Sequence, residues 1–119
     1  EVVDTEEMGL SLLDFIAGHR DLVIVDSVQT GKATPGTLHE IDGDALCVLP
    51  HISPHFLGVG EIIALGRRLG LTMPERVKIF AIEVEDPFTL GTELTKTIAA
   101  TVPEAIRRVC DAACLLAVA

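Results

Sequence analysis

Two largely apolar runs constrain the fold of this chain more than any other feature of its sequence. Residues 21–26 and 77–84 are rich in β-branched side chains and lack the regular polar–apolar alternation of a half-exposed strand. Runs of this kind are typical of strands that are buried on both faces of a parallel sheet. Each run also ends at or beside a carboxylate, Asp26 in the first and Glu83 in the second.

Segments with helical periodicity separate and follow these runs. Residues 8–17 and 57–69 place apolar side chains at helical spacing, and a glycine follows each segment. Residues 101–104 read Thr-Val-Pro-Glu, which predicts a capping box with proline in the first turn of a last helix. Residues 37–41 alternate well enough to form a shorter strand.

Strands that alternate with helices of this length indicate βαβ units. We therefore predict an α/β fold, a three-layer sandwich in which a mostly parallel sheet is covered by helices on both faces. The 119 residues, 49% of them hydrophobic and 23% charged, suit one globular domain over residues 1–119.

Charge and hydropathy exclude two classes of partner. The chain has 18 acidic and 9 basic side chains, a net charge of −9, so a surface that follows nucleic-acid phosphates is not expected. No apolar run reaches the roughly 18 to 20 residues that a membrane-spanning helix needs. We expect neither a nucleic-acid nor a membrane partner.

The cysteines indicate a reducing compartment. Three cysteines form no disulfide framework, and Cys110 and Cys114 lie one helical turn apart rather than in a CxxC pair. Their neighbours, like those of Cys47, are apolar, which predicts that all three belong to the core. We therefore expect a cytoplasmic protein.

Ligands of α/β proteins gather at the carboxyl ends of the strands, and this rule selects the loops that start at Asp4, Asp26 and Glu83. Asp26 follows a buried run and could bind a metal or act as a general base. An aspartate in this position is more often an N-cap or turn acceptor, here for the turn formed by residues 27–31. The acidic group around Glu83, which includes Glu85 and Asp86, is more typical of a solvated loop.

Two histidines follow a proline-containing loop. His51 and His55, together with Asp26, offer the nitrogen and oxygen donors that suit zinc, nickel or iron. Their spacing is not a zinc signature, and Pro54 disfavours helical geometry at the residue before it. One histidine could instead cap the following helix.

Several short motifs occur in a characteristic order. They are Val2-Val3-Asp4-Thr5, Val23-Ile24-Val25-Asp26 followed by Pro35-Gly36-Thr37, Ser53-Pro54-His55 followed by Leu57-Gly58, and Ile82-Glu83 followed by Pro87. Together they resemble the hydrogenase maturation endopeptidases, the proteases that remove the C-terminal extension from the large subunit of nickel-iron hydrogenases. The resemblance extends over essentially the whole chain.

The resemblance implies a nickel-sensing metal site made of an acid from an N-terminal motif, an aspartate at a strand end and a histidine. The aspartate matches Asp26 and the histidine matches His55. The N-terminal acid has no counterpart in this sequence, so we expect the peptidase domain to lack its N-terminal strand, loop and helix. The family's glycines after the first aspartate are also replaced, by Thr5-Glu6-Glu7 after Asp4.

The resemblance further implies a nickel-dependent endopeptidase that acts on the hydrogenase large-subunit precursor after metal insertion. Because a single small domain would engage this large subunit, we expect a monomer. The nickel is borne by the substrate or bound at the site, where zinc or cadmium could replace it in crystals. Either a metal polarises the carbonyl and activates water, or Asp26 is the general base and nickel serves recognition alone. The alternative function is a nonenzymatic metal-binding or chaperone-like partner of the precursor. In a third interpretation, the chain is a general α/β domain in which Asp26 and His55 have only structural roles.

Overall fold

A computed structural model describes residues 2–4, 9–42, 54–85 and 94–118, with the side chains of residues 9, 54–58 and 118 outside that description. In chain order the elements are a 3-10 helix Gly9–Leu12, α1 Leu13–Ile16, β1 Asp21–Val28, β2 Leu38–Asp42, α2 Pro54–Arg68, β3 Arg76–Glu83 and α3 Lys96–Val118. The chain forms two compact units, Glu1–Leu22 with Gly43–Val77 and Val23–Asp42 with Lys78–Ala119.

In the first unit, α2 packs against the 3-10 helix and α1. The apolar side chains that they bury are Leu12, Ile16, Val59, Ile62, Ile63 and Met73. Gly70 ends α2 with φ +79°, where its N–H bonds to the Arg67 carbonyl and the Leu71 N–H bonds to the Gly66 carbonyl. These two bonds define a Schellman motif, which confirms the predicted glycine cap.

The sheet of the second unit has the strand order β1-β3-β2. β2 runs antiparallel to β3, with a register from Leu38 opposite Ile82 to Asp42 opposite Lys78. The α/β class is confirmed, but the mostly parallel sheet is not, because this three-stranded sheet is mixed. Covering helices on both faces stay a prediction.

The connection between β1 and β2 explains the reversed strand. Residues 29–37 pass the end of β3, where the Gly36 N–H donates to the Glu83 carbonyl and the Glu83 N–H donates to the Thr37 carbonyl. The chain therefore enters β2 at the end of β3 and runs back along it. A short alternating segment specifies a strand but not its direction.

β3 is the centre of the sheet core. Ile79, Phe80 and Ala81 are buried completely, so consecutive residues on opposite faces are both covered, as the largely apolar run predicts. Glu40 lies opposite Phe80 and its carboxylate accepts a hydrogen bond of 2.6 Å from Arg108 of α3. This contact places α3 over the Phe80 face of the sheet.

α3 begins earlier than the sequence predicts. Thr95 is its N-cap, since the Thr95 hydroxyl accepts a hydrogen bond from the Ile98 N–H at 3.3 Å. The predicted capping box at Thr101 is therefore wrong, and Pro103 lies inside the helix. The Thr101 hydroxyl instead lies within hydrogen-bonding distance of the carbonyls of Thr97, 3.0 Å away, and Gly36, 3.2 Å away.

The prediction that the cysteines of α3 belong to the core is also wrong, because Cys110 and Cys114 are exposed. Ala105 is buried, and five residues along an α-helix turn a side chain roughly 140° away from it. Cys110 and Cys114 share that outward face because they lie one turn apart. Cys47 lies outside the described residues.

No helix in the described part of the chain is long and apolar enough to cross a membrane.

Candidate functional site

Asp26 belongs to the last three residues of β1 but is not the last one, contrary to the prediction, because the strand continues to Val28. The carboxylate is half-buried between the exposed residues Val25 and Ser27. Its Oδ1 accepts a hydrogen bond of 2.7 Å from the Ser27 N–H. Asp26 is thus a partly accessible side chain two residues before the end of β1, and its role in catalysis or metal binding stays a prediction.

His55 lies in the first turn of α2, which begins at Pro54. Proline suits this position because its missing N–H would have no partner there. The His55 side chain and the whole of His51 lie outside the description. The convergence of His55 with Asp26 therefore stays a prediction, while Asp4 is described and exposed.

Glu83 is a functional candidate whose environment the sequence predicts wrongly. It is the last residue of β3 and only 1% exposed. The Thr30 N–H donates to its Oε2 at 2.8 Å, and the Thr30 hydroxyl donates to its Oε1 at 2.5 Å. His39 Nε2 lies 3.0 Å from the same Oε1. The predicted solvated loop is wrong at Glu83, although Glu85 is exposed and Asp86 lies outside the described residues.

Two opposing effects set the protonation of Glu83. Burial alone raises the pKa of this carboxyl group, but the hydrogen bonds from Thr30, His39 and the Gly31 N–H lower it by more. The pKa of Glu83 therefore lies below its ordinary value, and the group is a carboxylate at neutral pH. Its lone pairs are taken up by protein donors, which leaves it a structural anion rather than a free base.

The strand register explains why His39 reaches Glu83. His39 lies opposite Ala81 across the β2–β3 pair, so its side chain and that of Glu83, two residues further along β3, are on the same face of the sheet. A diagonal neighbour at this distance is within reach of a long side chain. Alternation in residues 37–41 could have predicted this face, but the pairing partner could not be read from sequence.

Further hydrogen bonds connect residues 83–85 with the end of β1 and the residues that follow it. Besides the bonds of Gly36 and Thr37 to Glu83, the Val84 N–H donates to the Val28 carbonyl at 2.9 Å. Gln29 Nε2 donates to the Glu85 carbonyl, also at 2.9 Å. We call residues 29–37 the 29–37 loop. Residues 83–85 thus bind this loop near both of its ends.

Gly36 shows why the loop contains a Pro-Gly pair. Its φ of +94° lies in the left-handed region that favours glycine. A Cβ at this position would lie 3.0 Å from Thr101 Oγ1 and 3.2 Å from Thr97 Cγ2 of α3. The glycine therefore serves both the turn and the close approach of the loop to α3.

The described residues do not by themselves form a metal site. Among them, no group of three or more histidine, cysteine, aspartate or glutamate side chains could hold a metal ion. Asp26 contributes one carboxylate, and the oxygens of Glu83 already accept hydrogen bonds. Resident metal at Asp26 and His55 stays a prediction.

Comparison with known proteins identifies the family. A family model described as hydrogenase maturation protease matches residues 1–112. The Hydrogenase 2 maturation protease of Escherichia coli (strain K12) is 26% identical over 111 residues, which are 92% of this chain and 66% of that protein.

Two solved structures share the fold. The hydrogenase maturating endopeptidase HybD from E. coli matches with a TM-score of 0.64 and 25% identity, over 87% of this chain and 64% of its own. The solution structure of an endopeptidase from Escherichia coli matches with a TM-score of 0.67 and 27% identity, over 85% of this chain and 62% of its own. The chain thus spans just under two thirds of the length of these relatives. Because the family model matches nearly all of its 119 residues, this chain belongs to the hydrogenase maturation protease family.

Proposed function

We propose that this protein is an endopeptidase that removes the C-terminal extension from the large-subunit precursor of a nickel-iron hydrogenase after metal insertion. The family match over residues 1–112 is the observation that carries the proposal. The similarity to two E. coli endopeptidase structures supports it. The cytoplasmic location and the monomeric state remain predictions from the sequence.

Asp26 is the proposed general base. Its carboxylate takes a proton from a water molecule while the water oxygen attacks the scissile carbonyl carbon and forms a tetrahedral intermediate. The proton then passes to the leaving amide nitrogen and the C–N bond breaks, which releases a new carboxyl terminus and a free amine. A half-buried carboxylate near the carboxyl end of a strand suits this role, since α/β proteins place ligands there.

Nickel enters this proposal as part of the substrate. A carboxylate and an imidazole are donors that suit nickel, and we assign recognition of the precursor's nickel to Asp26 and His55. The recognition step would make cleavage depend on a completed metal centre in the precursor. Asp26 would then act on the peptide bond that the bound precursor presents.

The test compares cleavage of nickel-loaded and nickel-free precursor by the full-length protein. We expect cleavage of the loaded form alone, and Asp26→Asn should slow it about 10²- to 10⁴-fold, the usual contribution of a general base. His55→Ala should abolish cleavage as well. Asp14→Asn, the same substitution at an exposed residue of α1, should leave the rate unchanged.

Circular dichroism should show a folded chain for every variant. A fully active Asp26→Asn protein would contradict the proposed base. Binding of the loaded precursor by the wild-type protein without any cleavage would favour the nonenzymatic partner instead.

A further inference from the structure

We infer that Glu83 is a positioning residue for the proposed reaction, and that its buried carboxylate fixes the end of β1 on which Asp26 lies. The inference rests on the proposed function. Glu83 does not act on substrate in this account. It acts through the 29–37 loop and through the last residues of β1.

The carboxylate has donors on both of its oxygens. Thr30 supplies its N–H and its hydroxyl, and His39 supplies a ring nitrogen. Hydrogen bonds to a buried charged group are stronger and more directional than neutral ones at the surface. Two of these bonds go to one residue, Thr30, which fixes both the position and the rotation of that residue against β3.

Thr30 is close to Asp26 along the chain. Only four positions separate them, and Val28, halfway between, accepts a backbone hydrogen bond from Val84. Glu83 and the next residue, Val84, therefore bind the same short segment, which runs from the end of β1 into the 29–37 loop. Among the described strands, β1 has β3 as its one neighbour, so this junction governs where the end of β1 lies.

An apolar residue at position 83 would fill the same buried volume without the cost of removing a charge from water. It could not bind the Thr30 N–H and hydroxyl, so it would leave the loop free to shift. Small displacements of a reacting group reduce turnover sharply, since about 1 Å of misplacement can lower a rate about 100-fold. Glu83 is thus suited to geometric control of Asp26.

The experiment measures kcat and KM for nickel-loaded precursor with the full-length protein carrying Glu83→Gln or Thr30→Val, at a temperature well below both unfolding midpoints. We expect kcat to fall about 10- to 100-fold, the range that misplacement of a reacting group produces, with KM changed less than about threefold. Thr30→Ser keeps the hydroxyl and should restore kcat to near the wild-type value.

Glu40→Gln is the matched control. Glu40 lies on the opposite face of the sheet, where it binds Arg108 and Lys78, so its substitution removes charged hydrogen bonds without touching the 29–37 loop. We expect kcat within about twofold of wild type for this variant, as for surface changes away from a site. An equal fall in kcat for Glu40→Gln and Glu83→Gln would overturn the inference and indicate a general loss of stability.

Amide hydrogen exchange separates failure of the inference from failure of the proposed function. In Glu83→Gln, we expect the Thr30 amide to exchange at least about tenfold faster while the amides of Ile79 and Phe80 remain protected. Absence of cleavage by the wild-type protein would refute the proposed function. Wild-type cleavage together with unchanged kcat in Glu83→Gln would refute the positioning role alone.

Discussion

The two ends of the β1–β3 pair are held by different chemistry. At the start of the strands, Arg76 donates hydrogen bonds of 2.6 and 2.9 Å to the carboxylate of Asp21, and both side chains are partly exposed. At the other end, the carboxylate of Glu83 is buried and bound by Thr30 and His39. A surface ion pair contributes little stability, whereas a buried carboxylate tolerates few arrangements of its donors. The buried Glu83 carboxylate and its donors thus lie at the carboxyl ends of β1 and β3, where α/β proteins bind ligands.

Glu83→Ala should give the largest loss of stability. The substitution leaves the half-buried N–H and hydroxyl of Thr30 without their acceptor, which costs about 3 kcal/mol of unfolding free energy. Urea denaturation measures this loss. Glu85→Ala, at an exposed glutamate two residues away, should change the free energy by less than about 0.5 kcal/mol. Similar losses in both variants would show that the buried carboxylate of Glu83 stabilises the chain no more than an exposed glutamate does.

Gly36→Ala should follow, with a loss of about 2 kcal/mol, because alanine at a positive φ costs about 1 kcal/mol or more and its Cβ would press on α3. Gly18→Ala is the matched control, since Gly18 also has a positive φ of +86° but no atom lies within 4 Å of the added Cβ. Its loss should be limited to about 1 kcal/mol. Thermal and urea unfolding of both variants measure the difference. Equal losses would show that the close approach of the loop to α3 does not affect the free energy of unfolding.

Protonation of Glu83 in acid should lower the free energy of unfolding by less than the Glu83→Ala substitution does, because a protonated carboxyl group still accepts hydrogen bonds. Hydrogen bonds lower the pKa of Glu83 in the folded chain below its unfolded value. Its contribution is therefore complete above the unfolded pKa and is lost as the pH falls through the folded pKa. Unfolding free energies measured from neutral to acidic pH should fall less steeply in Glu83→Gln than in wild type. Parallel curves would contradict the lowered pKa of Glu83 in the folded chain.

Asp21→Asn should give the smallest change. The Arg76 guanidinium lowers the pKa of Asp21, but this pair is exposed to solvent and screened by salt. We expect the midpoint of urea denaturation to move by little more than the error of the measurement, and 1 M NaCl should abolish the difference from wild type. A loss as large as that of Glu83→Ala would show that the two ends are held equally strongly.

Much of the secondary structure could be predicted from local patterns. The two apolar runs become β1 and β3, the alternating segment becomes β2, and the stripe over residues 57–69 becomes most of α2. Each of these elements has a period or a composition that its own residues determine. The glycine stop at Gly70 is similarly local, because its positive φ follows from the residue type.

The errors have tertiary causes. The direction of β2 depends on where the 29–37 loop crosses the end of β3, which no local pattern encodes. The sequence predicts the start of α3 at Thr101 because Thr-Val-Pro-Glu resembles a capping box, but Pro103 is tolerated inside the helix and Thr95 caps it.

The site shows the same division. The position of Asp26 near the end of β1 could be predicted because it ends an apolar run, while its role stays a prediction. The sequence predicts a solvated loop at Glu83 because the donors of Glu83, Thr30 and His39, are 53 and 44 residues away along the chain. Only the packed sheet brings a threonine and a histidine to a glutamate that looks solvated from its neighbours alone.

The most direct test of the proposed function is the intact mass of the nickel-loaded large-subunit precursor after incubation with the full-length protein. We predict that the precursor loses the mass of its C-terminal extension, with addition of one water across the broken bond, and that nickel-free precursor keeps its mass. An unchanged mass for the loaded precursor, under conditions in which the protein is folded and binds it, would contradict the proposed function.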